Sequence, residues 1–207
     1  LESKNKLSYK KAQFHIFDLG KKDSINSIVN NFETPDLIVA NAGIAINGAI
    51  GDIKQDEREY FYYLMCGGVI DLIEGFIPKM IDKGNGRIII ISSIGAKAPM
   101  PKSSLYSSIK AGIYAYGKSI STELKNKNIS VTVSLPGYVR TNAHERVGLD
   151  HLIKKVPGWM WINPEQVVLE TELASLKGKS EIIPGKVYKT VKPFLNLNLA
   201  VKIWKWI

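Results

Sequence analysis

A chain of 207 residues with 45% hydrophobic content is long enough to bury a core and is sized for one domain. A single cysteine, Cys66, excludes an internal disulfide framework and reads as a small buried side chain, and no apolar stretch reaches the ~20 residues of a membrane-spanning helix. The net charge of +9 raises nucleic acid as a partner, but the 28 basic residues are mostly lysines spread along the chain, without zinc-ligand spacing or an RNA-reading aromatic motif. A solvated basic surface with a phosphate-bearing ligand, and no nucleic acid, is the more economical reading.

Short β-like runs alternate with longer helical ones, the pattern of βα units around a parallel sheet. Phe14–Phe17 reads as a strand, followed by Asp18-Leu19-Gly20 and a helical stretch over Asp23–Asn31. Asp36–Ala40 is the next strand and ends at Asn41-Ala42-Gly43. A long helix is expected over Asp56–Asp82, closed by the turn Gly84-Asn85-Gly86. Arg87–Ile91 is a continuous isoleucine run, which points to a strand buried on both faces. A helix over Ser103–Asn126, a strand over Ile129–Leu135 and a helix begun by Asn163 as cap and Pro164 in the first turn follow. Glu181–Ile183 closes the series as a short strand. The opening Leu1-Glu-Ser-Lys is polar, so no secretory leader is expected and the cytoplasm is the expected location.

Ligands of open parallel sheets sit beyond the carboxyl ends of the strands. Ser93 lies at such an end, and Tyr106 and Lys110 are four apart on one helix face. A phenol titrates near 10, and a neighbouring ammonium would stabilise the phenolate; a shift of two or three units corresponds to ~3–4 kcal/mol. Ser93 could then hydrogen-bond the substrate oxygen that Tyr106 protonates. A tyrosine four residues from a lysine is common in helices, and by itself reads as a half-buried ring beside a solvated amine. Ser93, thirteen residues upstream at a strand end, reverses that weighting.

With these three positions the sequence resembles the short-chain dehydrogenase/reductase family. The family's Ser, Tyr and Lys fall on Ser93, Tyr106 and Lys110. Asn41-Ala42-Gly43 resembles its Asn-Ala-Gly turn, and Asp18-Leu19 its acidic-apolar pair beside the adenine. Pro136-Gly137-Tyr138-Val139-Arg140-Thr141 resembles its Pro-Gly…Thr segment beside the nicotinamide. The resemblance spans residues 14–141. It implies an α/β, Rossmann-type, doubly wound parallel sheet in three layers, and hydride transfer between a carbonyl/alcohol pair and NADP or NAD, with NADP slightly favoured. The implied catalytic set is Ser93, Tyr106 and Lys110. The implied cofactor set is Asp18, Leu19, Asn41, Ala42, Gly43, Tyr106, Lys110, Pro136, Gly137, Val139 and Thr141. A homodimer or homotetramer is implied as well.

Two departures stand out. The family's Gly-rich dinucleotide turn has no counterpart, so the chain is read as lacking the first βαβ portion, with an N-terminally incomplete domain over 1–185. The asparagine that feeds the family's proton relay is replaced by Met65, which has no amide to offer. These departures support an alternative reading, a catalytically weakened family member acting as a binding or scaffold protein. A sugar-nucleotide epimerase shares the Tyr/Lys pair, but too little chain follows the sheet for its substrate domain.

Four further features carry a reading. Gly112–Ser119 satisfies the literal phosphate-loop pattern but lies inside the helix of Tyr106, so its glycines are assigned to close packing, across a subunit interface or against the sheet. The histidines His15, His144 and His151 are not clustered with carboxylates or thiols, and no metal site is expected. The segment from Thr141 to Trp161 is apolar, consistent with a cover for an apolar or lipid-like substrate or equally with core packing. The tail 186–207 has five lysines, no acids and several Trp and aliphatic residues, fitting a docked segment or a peripheral membrane contact. Tail and cover together resemble short-chain reductases of long-chain ketones such as 3-ketodihydrosphingosine.

Overall fold

The isoleucine run forms the centre of the molecule. In the computed structural model, which describes residues 12–46, 48–98, 102–141 and 156–191, strand β2 (Gly86–Ile91) leaves Ile88, Ile89 and Ile90 at 0%, 4% and 1% exposure. Successive side chains of a strand point to opposite faces, so both faces are covered. Strand β1 (Leu37–Ala40) pairs parallel with β2 in the register Leu37 to Arg87. Strand β3 (Ile129–Ser134) pairs parallel on the other side, Gly86 to Ile129, and β4 (Glu181–Ile182) pairs parallel with β3. The order is therefore β1-β2-β3-β4 among the described residues.

Helices fill the intervals: α1 (Lys22–Asn31), α2 (Gln55–Tyr62), α3 (Gly68–Lys83), α4 (Ser104–Glu123), α5 (Pro164–Leu176) and α6 (Lys186–Val191). The β3 side chains show which helices lie on which face. A Cβ at Gly117 of α4 would stand 2.5 Å from Val133 and 3.0 Å from Ile90, so this glycine lets α4 press onto one face. The next residue, Ser134, points the other way and hydrogen-bonds Thr171 of α5 at 2.8 Å. Helix, sheet and helix form the three layers that βα alternation implies. Within the α3–α4 layer, Gly75 lets α1 approach α3: a Cβ there would lie 2.7 Å from Val29.

The structure departs from the sequence expectations in three places. Phe14–Phe17 is not a strand; its rings pack instead, His15 edge-on to Phe32 at 4.8 Å and Phe17 to Phe32 at 6.2 Å. A strand exists only through its ladder, and the described sheet is built from β1 to β4 without this segment. The long helix is interrupted: between α2 and α3, Tyr63–Gly67 forms a π-helical turn. Asn163 precedes α5 as expected, but its side chain makes no cap hydrogen bond; its carbonyl accepts from Gln166 and Val167. The first part of the assigned tail, α6, is docked, with Tyr188 1% exposed and Lys189 paired to Glu170 at 2.6 Å. The expected cover over 142–155 (with His144 and His151) and the tail 192–207 lie outside the described residues. No helix among the described residues is long and apolar enough to cross a membrane.

Candidate active site

The carboxyl ends of β2 and β3 are tied together just where the sequence places its chemistry. The Ser92 N–H donates to the Ser134 carbonyl at 2.8 Å, and the Ile94 N–H donates to the Pro136 carbonyl at 3.0 Å. Ser93 sits between them with extended backbone and opens a 3₁₀ turn (Ile94–Ala96), its Oγ accepting the Gly95 N–H at 3.1 Å. That bond occupies a lone pair and leaves the Ser93 hydroxyl proton to donate. Farther along the same loop, Lys97 pairs with Glu181 of β4 at 2.9 Å, and the Tyr114 hydroxyl donates to that carboxylate at 2.7 Å. The loop is thus fixed to both α4 and β4.

Helix α4 carries Tyr106 and Lys110 against this strand end. Buried Ser92 donates its hydroxyl to the Lys110 carbonyl at 2.8 Å, and Lys110 Nζ donates to the Ile91 carbonyl at 3.0 Å. The ammonium stands 6.0 Å from the centre of the Tyr106 ring, and Ser93 and Tyr106 both border Gly95. Sequence positions 93, 106 and 110 are therefore brought to one place.

The electrostatics differ from the sequence expectation. Burial pushes the Tyr106 phenol above its ordinary value, with Ser93 pulling in the opposite direction. Lys110 is pushed down to about 8, chiefly because it is desolvated, with Cys66 opposing. Low dielectric disfavours both charged forms, so burial raises the phenol and lowers the amine, instead of lowering the phenol as the helix spacing suggests.

The remaining candidate residues line the same edge in part. Asn41-Ala42-Gly43 follows β1, with Asn41 and Gly43 exposed. A Cβ at Gly43 would lie 3.7 Å from Lys110 Nζ and 3.6 Å from the Met65 sulfur, so the bare glycine opens onto the lysine. Pro136, Gly137, Val139 and Thr141 follow β3 on the other side of Ser93. Asp18 and Leu19 pack on the α2–α3 rod: Asp18 accepts from the Tyr60 hydroxyl and the Gly20 N–H at 3.0 Å each, and the Leu19 carbonyl would lie 3.1 Å from a Cβ at Gly68. Among the described residues no His, Cys, Asp or Glu cluster could hold a metal. The polar groove among Asp36, Arg87, Lys125 and Asn128 lies at the opposite, amino-terminal edge of the sheet.

Sequence reasoning missed several contributors. Cys66, which reads in sequence only as a small buried side chain, sits 2% exposed in the π-turn beside Met65, its thiol close enough to feel both Lys110 and Tyr62. Such turns concentrate at functional sites, but nothing in the helical period announces one. Ser92 reads in sequence as a neighbour of Ser93, not as the anchor of Lys110. Tyr188 reads in sequence only as one residue of the basic apolar tail.

The chain belongs to the short-chain dehydrogenase family: residues 2–151 match the pattern described as short chain dehydrogenase. It is 33% identical over 147 residues to "Dehydrogenase/reductase SDR family member 7B" of Xenopus tropicalis, covering 67% of this chain and 48% of that one. It is 30% identical over 198 residues to "Dehydrogenase/reductase SDR family protein 7-like" of Drosophila melanogaster, covering 92% and 60%. The chain thus spans about half the length of these relatives. The 3-oxoacyl-[acyl-carrier-protein] reductase FabG of Chlamydia trachomatis is 29% identical over 181 residues, covering 84% of this chain and 73% of that one. Among solved structures, a short-chain dehydrogenase from Streptomyces avermitilis superposes with TM-score 0.76 at 21% identity, over 95% of this chain and 79% of that one. One from Sphingobium yanoikuyae in complex with NADPH superposes with TM-score 0.75 at 19% identity, over 91% and 73%. These likenesses establish the Rossmann-like α/β fold.

Proposed function

We propose that this chain carries the catalytic part of an NAD(P)-dependent oxidoreductase interconverting a carbonyl and an alcohol. The observation that carries the reading is the convergence of Ser93, Tyr106 and Lys110 at the carboxyl ends of β2 and β3. Ser93 donates a hydrogen bond to the substrate oxygen and holds it against the phenol. Tyr106 transfers its proton to that oxygen as it becomes the alcohol, and recovers one from solvent past the Lys110 ammonium. A bound nicotinamide supplies or accepts the hydride at the carbonyl carbon.

The residues present fit the ribose–nicotinamide end of such a cofactor. Lys110 uses one of its three donors on Ile91, and Gly43 leaves the space beside it open. Asn41, Ala42 and Gly43 would border one side, Pro136, Gly137, Val139 and Thr141 the other, and Asp18 and Leu19 the adenine. Solved neighbours bound to NADP or NADPH support NADP slightly ahead of NAD. The apolar residues of the Thr141–Trp161 segment support an apolar or lipid-like substrate. The outward face of α5, with exposed Val168, Leu169, Leu173 and Leu176, supports a homodimer or homotetramer. A cytoplasmic protein, with peripheral membrane contact through 192–207, completes the reading.

Tyr106→Phe keeps the ring and removes the proton. Dinucleotide-dependent carbonyl reduction by the protein its gene encodes is expected to fall ~10²-fold or more; unchanged turnover removes Tyr106 from its role. Met65, buried beside Gly43 and without an amide, favours the second reading of a weakened binding or scaffold protein. Dinucleotide binding without turnover on any short- or long-chain ketone would select it.

A further inference from the structure

Two segments that flank the site are held by one phenol from the last helix. After Gly185, which turns the chain with φ +87°, helix α6 buries Tyr188 to 1% exposure. Its ring lies flat on Gly137: a Cβ there would stand 2.0 Å from the ring, so only glycine admits it. Its hydroxyl accepts the Tyr138 N–H at 3.1 Å and donates to the Met160 carbonyl at 2.8 Å. A phenol can do both at once, which phenylalanine cannot. Burial raises its pKa to about 12, so it remains a donor across the physiological range.

These contacts complete a lattice around Pro136–Thr141. The Ile162 N–H donates to the Tyr138 carbonyl at 2.8 Å, the Arg140 N–H donates to the Ile162 carbonyl at 2.9 Å, and Val139 and Ile162 form a parallel bridge. At its other end the Pro136 carbonyl accepts from Ile94, the residue after Ser93. The path of Gly137, Tyr138 and Val139 relative to Ser93 is therefore fixed at one end by the catalytic loop and at the other by the Tyr188 hydroxyl.

We infer that Tyr188 is a positioning residue that sets the backbone bordering the nicotinamide. This rests on the oxidoreductase reading, in which Pro136–Thr141 lies on that side. Tyr188→Phe keeps the ring over Gly137 and removes only the hydroxyl, so the variant folds with the same packing. In the protein its gene encodes, titration calorimetry would compare NADPH with 2′-phospho-ADP-ribose, which lacks the nicotinamide, and NADH with ADP-ribose. The variant is expected to bind the nicotinamide forms ~5–10-fold more weakly, tenfold being 1.4 kcal/mol, and the nicotinamide-free forms within about twofold of wild type. Equal weakening of both kinds, or of neither, makes Tyr188 a core residue alone and overturns the inference while leaving the oxidoreductase reading intact. A wild type that binds neither kind overturns both.

Discussion

At Lys110 the fold sets an amine 3.0 Å from a backbone carbonyl and leaves it 5% exposed. Its pKa falls to about 8, whereas in the unfolded chain it keeps the ordinary 10.5. Between those values the unfolded state binds a proton that the folded state lacks, so the stability of the ligand-free protein rises with pH across that window. Below pH 8 the cost is fully present, at most about 3 kcal/mol at 1.36 kcal/mol per unit. Lys110→Met is therefore expected to raise the thermal midpoint at pH 7 while abolishing carbonyl reduction. Melts at pH 7 and pH 10 would check this, and a variant less stable than wild type at pH 7 would contradict it. Stability given up at a site is a common cost of function. The identities of Ser93, Tyr106 and Lys110 were legible in the sequence because strand end and helix spacing are local properties. The direction of their pKa shifts was not, because it depends on which atoms surround them.

Helix α4 illustrates how a motif is decided by its element. Gly112–Ser119 matches a phosphate loop letter by letter, yet it is eight residues of continuous helix. Of the two packing roles expected for its glycines, Gly117 takes the one against the sheet, and Gly112 faces the Cys66 sulfur, 3.4 Å from its Cβ position. Gly117→Ala gains up to about 1 kcal/mol of helix propensity but must displace Val133, which is fully buried in a close-packed layer. Net destabilisation of about 1–2 kcal/mol is expected in urea unfolding; a stabilised variant would show that α4 can lift from the sheet at no cost.

Helix α5 presents the opposite case. Val167, Thr171, Ala174 and Ser175 face inward, while Val168, Leu169, Leu173 and Leu176 are exposed. A helix apolar on both faces calls for a second partner. If that partner is another copy, Leu169→Glu with Leu173→Glu would shift the protein towards monomer by light scattering without changing the secondary structure. An unchanged mass would exclude this face. The π-turn at Tyr63–Gly67 was the element least visible in sequence, since an extra residue in a helix leaves the apolar period on either side intact.

For the molecule as a whole, the tail can be cut after the last described helix. Helix α6 is docked through Tyr188 and Lys189, so a cut after Val191 keeps these contacts while removing the basic apolar tail, and unchanged circular dichroism would show that the domain is retained. Loss of vesicle flotation in the truncated protein is expected if the basic apolar tail binds anionic lipid; equal flotation of both forms would end that idea.

The sequence by itself determined the βα alternation, the doubly buried isoleucine strand and the three chemical groups, because period, composition and short-range spacing are properties of neighbouring residues. Only the tertiary structure decided the rest. It packed the rings of His15 and Phe17 onto Phe32 where the sequence pattern suggested a strand, since a strand forms only where another segment pairs with it. It raised the Tyr106 phenol and lowered the Lys110 amine, since desolvation depends on what packs around a group. It also brought Tyr188, fifty residues past Tyr138, into the wall of the site, since two backbone groups left by a turning chain needed one hydroxyl that could both give and accept a hydrogen bond.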